Sequence, residues 1–197
     1  TSRMAGAIRL VSIERGHDPK AFAAMPFGGG GALHAGALIR EVGLARALVP
    51  PYPGVTSALG CVIADMRHDF VQTLDRTLDA LDGTALAAAA TERREEGLAL
   101  LDRAGVAFER REAAVSLDMA YLGQTHTVPV PLALEDAPGG GYAAPAREAL
   151  AAAFEAAYRE RFGRALATAP VRVLNLHVAV TGLRPKFDLR ALAPAPD

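Results

Sequence analysis

The chain has a single cysteine and no tryptophan among its 197 residues. With Cys61 alone, neither an internal disulfide nor a cysteine metal cluster can form, and a reducing cytoplasmic setting is the expectation. An excess of basic residues is missing as well. The 21 lysines and arginines against 22 acidic residues leave a formal net charge of −1, which argues against a nucleic-acid partner. No apolar run approaches the roughly 18 residues that a membrane-spanning helix needs, so no membrane partner is expected. No charged-then-apolar leader opens the sequence. Several catalytic signatures are absent too: there is no Gly-x-Ser-x-Gly elbow and no evident pair of catalytic carboxylates. What remains is an ordinary globular composition, 51% hydrophobic and 22% charged, long enough to bury a core.

Met4, Ala7, Ile8 and Val11 recur at helical spacing, which predicts a helix over residues 3–15, stopped by Gly16 and Pro19. An amphipathic helix so near the first residue, with no capping lead-in, reads as the middle of a longer chain. Residues 21–27 form a short buried strand, followed by four glycines and a helix over 32–42, with Gly43 placed to end it. A second short strand lies within 45–50. The cluster Pro50-Pro51-Tyr52-Pro53-Gly54 turns the chain into a helix over 57–65, with Thr56 or Ser57 near its N-cap. Strand, loop, helix and strand in this order make an α/β layout, incomplete at about 65 residues.

The second part reads as a strand over 67–74, a long helix over 84–104 and a strand over 110–121. In that strand Ala113, Val115, Leu117, Met119 and Tyr121 share one face. A returning strand ends at Leu132; Pro129 and Pro131 cannot donate to a ladder, so it belongs at a sheet edge. A helix over 145–162 carries Leu150, Phe154, Ala157, Tyr158 and Phe162 on one stripe. The last strand, 171–181, points Leu174, Leu176, Val178 and Val180 inward. The order β-α-β-β-α-β is the split βαβ, ferredoxin-like pattern. The tail after Pro185, with Pro194 and Pro196, is expected to fray.

Gly28, Gly29, Gly30 and Gly31, with His34 on the first turn of the following helix, are the candidate binding residues. A loop without Cβ atoms lets a ligand approach bare backbone, and the free N–H groups of a helix start suit a phosphate. The run is neither a P-loop, lacking Gly-Lys-Ser/Thr, nor a dinucleotide fingerprint, since the sixth position is Leu33 or His34. A plain strand-to-helix turn explains it equally. His34 is either a neutral donor or ligand facing the loop or a buried ring bonded to a backbone carbonyl. The other histidines read as structural. Asp18 beside His17 orders a turn, Asp65, Arg67 and Asp69 make a surface ion pair, and His126 and His177 lie in strands. No metal site is evident.

Several ordered segments resemble one family. They are Arg9-Leu10-Val11-Ser12-Ile13-Glu14-Arg15-Gly16-His17-Asp18-Pro19, then Phe27-Gly28-Gly29-Gly30-Gly31-Ala32-Leu33-His34-Ala35. Val49-Pro50-Pro51-Tyr52-Pro53-Gly54-Val55-Thr56-Ser57-Ala58-Leu59-Gly60 and Ala64-Asp65-Met66-Arg67-His68-Asp69 follow. The hairpin Leu117-Asp118-Met119-Ala120-Tyr121-Leu122-Gly123-Gln124 completes the set. Together they look like the hydantoinase A/5-oxoprolinase family, although no arginine stands between Asp118 and Tyr121 as it does in the family hairpin.

The resemblance implies that residues 1–66 are the closing piece of an actin/sugar-kinase-like ATPase domain. Residues 67–185 would be the family's C-terminal, ferredoxin-like domain, with 186–197 a tail. It implies ATP and Mg as cofactors and ATP-dependent opening of a cyclic amide of the hydantoin or 5-oxoproline class. It also implies a hydantoinase B-type partner subunit in an oligomer. The glycine run would be a nucleotide-side loop. The catalytic residues would lie outside this chain, leaving the fragment inactive alone. An assembly module docking a partner through its sheet, or a subunit of a related carboxylase, are the alternatives.

Overall fold

The computed structural model describes residues 1–166, 169–186, 188 and 190. The tail expected over 186–197 lies for the most part outside the described residues. The architecture mixes helices and strands in two compact units, one built on Thr1–Ala64 and the other on Asp65–Pro185.

In the first unit, helix α1 (Ser2–Ile13) packs against helix α2 (Gly31–Val42). The Arg9 guanidinium donates to the backbone carbonyl of Glu41, joining the two helices. Strands β1 (Ala23–Ala24) and β2 (Arg46–Ala47) flank α2 and pair in parallel, a small β-α-β turn of chain. Gly43 ends α2 as expected, at φ 83°, a left-handed conformation that glycine adopts without strain. Its N–H and that of Leu44 both return to the Ile39 carbonyl. Helix α3 (Thr56–Ile63) closes the unit.

The strands expected over 21–27 and 45–50 shrink to two residues each, and they are not buried. Phe22 and Phe27 are 48% and 45% exposed, Leu48 and Val49 55% and 67%. A two-stranded sheet has too little surface to cover its own side chains.

The second unit holds β3 (Met66–Thr77), α4 (Gly83–Arg103), β4 (Arg110–Tyr121), β5 (Val128–Leu132), α5 (Arg147–Phe162) and β6 (Val171–Leu183). The sheet order is β3-β6-β4-β5, antiparallel throughout. Strands β3 and β4, joined through α4, lie on either side of β6, so this β-α-β unit is split, with the last strand as the inserted one. Strand β5 is at an edge, with Pro129 and Pro131 on its exposed side. Proline costs the ladder nothing there.

Helices α4 and α5 contribute to one core with the sheet, including Leu86, Leu101, Phe154, Leu117, Val130 and Val178. Asp82 caps α4, its Oδ1 accepting from the N–H of Thr84 at 2.8 Å and of Ala85 at 3.3 Å. Tyr121, Phe154 and Tyr158 meet edge-to-face or tilted, with centroids 4.8 to 5.5 Å apart.

The inward set of β6 differs from the alternation. Val173 is fully buried, whereas Leu174 is only half-buried. Opposite β4 the register steps from Asp118↔Asn175 to Met119↔Val173, so Leu174 is the extra residue of a bulge. One inserted residue reverses the face of everything beyond it. Ala113, expected inward on β4, and Phe162 on α5 are exposed.

Candidate functional site

The four glycines do not play equal parts. Gly28 alone takes a positive φ, 78°, and its N–H donates to the Pro53 carbonyl at 2.7 Å. A Cβ added there would lie 3.3 Å from Ser57 Oγ. Gly31 opens α2 against the backbone of Pro26, where a Cβ would come 3.4 Å from the carbonyl carbon. Between them Gly29 and Gly30 are exposed, and a Cβ on either would meet nothing within 4 Å. Gly30 is the N-cap of α2 at φ −101°, giving no side-chain cap and leaving first-turn N–H groups for solvent or ligand.

His34 lies on the first turn of α2 and is exposed, which rules out the buried, carbonyl-bonded alternative. Leu33 beside it is 81% exposed. Loop and helix start therefore form an open rim.

Sequence reasoning missed what stands behind this rim. The turn after Pro51 places Tyr52 at φ 55°, a left-handed conformation uncommon for a residue with a Cβ. Its carbonyl accepts from the Val55 N–H at 3.0 Å and from Thr56 Oγ1 at 3.1 Å. That fold of the chain aims the next carbonyl, Pro53, at Gly28 and sets Ser57 against it. Thr56 and Ser57 open α3 beside its N-cap Val55, as expected, but neither makes a side-chain cap. The signal was present in Pro53-Gly54 followed by Thr56-Ser57, but no local rule links that turn to glycines some 25 residues earlier.

Most of the remaining polar candidates have structural partners, although His68 Nε2 is buried without a hydrogen-bond partner. Asp18 Oδ1 accepts from the Lys20 N–H at 3.0 Å and orders its turn, and the His17 ring meets Phe22 edge-on. Arg67 and Asp69 form an exposed pair at 2.7 Å. Their hydrogen bond lowers the Asp69 carboxyl below its usual range and raises the Arg67 guanidinium. Asp65 instead accepts from the Arg184 N–H at 2.8 Å.

His126 is exposed in the turn before β5 rather than in a strand. His177 Nε2 lies 2.7 Å from Asp118 Oδ2, which also accepts from Asn175 Nδ2 at 2.9 Å. Gln124 Nε2 donates to the Tyr158 hydroxyl at 2.8 Å, and Tyr121 Oη accepts from the Leu166 N–H. The hairpin residues 118–124 thus fasten the second unit together. Among the described residues no cluster of three or more His, Cys, Asp or Glu is placed to hold a metal ion. No helix among them is long and apolar enough to cross a membrane.

Comparison with known proteins gives matches in both sequence and fold. The family model described as hydantoinase/oxoprolinase matches residues 1–70. Caprolactamase subunit alpha of Pseudomonas jessenii is 33% identical over 180 residues, 90% of this chain and 25% of that protein. An uncharacterised protein of Methanocaldococcus jannaschii is 36% identical over 128 residues, 65% of this chain and 18% of its own length. The chain thus spans a quarter or less of these relatives.

Among solved structures, the ATP-dependent caprolactamase from Pseudomonas jessenii superimposes with a TM-score of 0.60 at 31% identity. That match covers 94% of this chain and 27% of the other. A nucleotide-free acetone carboxylase gives a TM-score of 0.65 at 21% identity, with the same two coverages, 94% and 27%, a likeness of fold alone.

Proposed function

Because this chain belongs to the hydantoinase/oxoprolinase family, we propose that it is the C-terminal part of an ATP-dependent subunit that opens a cyclic amide. The observation that carries this reading is the similarity to caprolactamase subunit alpha, 33% identical along 90% of the chain, with the fold following it. The substrate class is a small lactam, hydantoin or 5-oxoproline ring. The partner is a second, hydantoinase B-type subunit, in keeping with the "subunit alpha" of the relative's name. A soluble, cytoplasmic enzyme fits the lone cysteine.

In this reading residues 1–66 close an actin-like ATPase domain and 67–185 form the family's C-terminal domain. The loop Gly28–Gly31, with His34 at its rim, is one wall of the nucleotide cleft. Exposed backbone at the start of α2 supplies hydrogen-bond donors and a favourable field for an anionic ligand. ATP would supply the driving force: with the amide oxygen phosphorylated, the ring carbon is electrophilic toward water, the adduct expels the ring nitrogen, and a second water cleaves the remaining acyl phosphate to carboxylate and phosphate. Overall the ring C–N bond is hydrolysed and ATP becomes ADP and phosphate. The described residues offer no ligand cluster for magnesium, so the metal would be held by other parts of the protein.

The test is an ATPase and ring-opening assay on the full-length protein with its partner subunit, over hydantoin, 5-oxoproline and a lactam. ADP release coupled to ring opening is expected, and these 197 residues alone should turn over none of the rings. Ring opening without ATP, or turnover by the isolated chain, would overturn the reading. ADP release that requires bicarbonate and a carbonyl substrate would point instead to a carboxylase subunit.

A further inference from the structure

We propose that the outer edge of β3 docks a second copy of this chain, the two β3 strands pairing antiparallel about a two-fold axis that passes between their Phe70 residues. The proposal depends neither on the ring-opening reading nor on the glycine loop.

The two edges of the sheet are built differently. At β5, Pro129 and Pro131 remove ladder donors. Strand β3 runs for 12 residues without proline or glycine, and among the described residues β6 is its only ladder partner. A register shift after Thr73, with Asp75 at φ 47°, ends its regular part, so the open edge is residues 66–74. Unpaired N–H and C=O groups along such a stretch are a template for another strand. Its core-facing side chains are incompletely covered as well. Met66, Phe70 and Leu74 are only half-buried, whereas Val178 and Val180 on β6 are 1% and 0% exposed. Helix α4 lies against β6 at Gly97 and leaves a groove of about 410 Å³ beside β3, lined by residues that include Gln72, Leu74, Leu81 and Leu86.

The occupant follows from the order of side chains on that half-buried face, which reads alike from either end: apolar Met66, polar His68, apolar Phe70, polar Gln72, apolar Leu74. Directly opposed residues of an antiparallel pair share a face and touch. With Phe70 opposite Phe70, Met66 meets Leu74 of the second copy at that copy's groove, and His68 meets Gln72. His68 Nε2, buried with no hydrogen-bond partner in the single chain, thereby gains an amide as its cross-strand neighbour. On the other face Arg67 meets Thr73 and Asp69 meets Val71, so no like charges are directly opposed, and Asp69 keeps its own Arg67 at 2.7 Å. Neighbouring registers fit worse. An axis at Asp69 sets two carboxylates against each other, and one at Val71 sets Phe70 against Gln72 and Leu74 against His68. An axis at His68 would pair Gln72 with Ala64, which lies outside the strand. Pairing at Phe70 is isologous, closes at two copies, and joins the two four-stranded sheets into one.

The experiment is sedimentation velocity of the full-length protein over a range of concentrations, with Val71→Glu and Val71→Lys beside wild type. Val71 is 60% exposed, so neither variant should alter the circular dichroism of the chain. A reversible dimer is expected. Val71→Glu places a carboxylate opposite Asp69 at two symmetric positions and should weaken the dimer about tenfold, whereas Val71→Lys should tighten it. A wild-type protein that stays monomeric at every concentration would overturn the proposal. So would a dimer indifferent to both variants, since its interface would then lie elsewhere. Slow hydrogen exchange over residues 66–74 in a monomer would show the edge covered by another part of the same polypeptide, and would overturn it too.

Discussion

Gly97 sits in the middle of α4, where glycine costs about 1 kcal/mol relative to alanine. It is tolerated because the helix lies almost on β6. A Cβ at this position would fall 2.5 Å from Val180 Cγ2 and 3.1 Å from Phe70 Cε2. Gly97→Ala should therefore destabilise the protein by about 1–3 kcal/mol despite its better helix propensity, because neither β6 nor α4 has room to shift. Urea unfolding of the variant checks this; a gain in stability would mean that the helix stands off the sheet. The same reasoning separates Gly28 from Gly29. Glycine content is legible in a sequence, but whether a glycine answers to a φ angle, to a packed neighbour or to neither is not, because that depends on what tertiary structure places opposite it.

Between β4 and β6 a polar clasp crosses the ladder. Asp118 holds both Asn175 and His177, and Thr73 Oγ1 on β3 donates to Asn175 Oδ1 at 3.1 Å. Three strands are thereby tied at the place where β6 bulges at Leu174. Asp118→Ala should cost about 1–2 kcal/mol, since two donors lose a carboxylate acceptor but keep some access to water. The measurement is the urea midpoint of the variant beside that of His177→Ala. Equal wild-type midpoints in both would show that the clasp contributes nothing. Period-two alternation made the bounds of β4 legible as 110–121, and its inward face from Val115 to Tyr121 though not at Ala113, while the two prolines of β5 put it at an edge. The inward set of β6 escaped because a bulge leaves no mark in hydrophobic order. Val173 and Leu174 are both apolar, and either could have faced the core.

The two units differ in how well they bury their own side chains. Nearly all of the fully buried apolar residues belong to Asp65–Pro185. In Thr1–Ala64 the buried apolar residues are Ala5 and Val42, with Pro19, while Leu10, Val11, Ile13, Met25 and Val62 are each more than half exposed. Little apolar burial means little free energy to offset the entropy of ordering the chain. Limited proteolysis of the 197-residue chain should thus cut within 1–64 first and leave a resistant core near residues 65–185. Mass spectrometry of the time course checks it, and equal resistance of both units would contradict the burial argument.

By itself the sequence determined the kinds of element, their order and the family. Helical and strand periodicities, glycine stops and edge prolines are all written within a few residues of where they act. The ordered segments from Arg9 to Gln124 carry the family resemblance in the same way. Tertiary structure decided what depends on residues far apart in the chain: the insertion of β6 between β3 and β4, and the face that Val173 takes. It also decided the grip of Pro53 and Ser57 on Gly28, and the openness of the two glycines between. Local sequence patterns fix backbone conformation, whereas register and close approach are fixed only when distant segments compete for the same space.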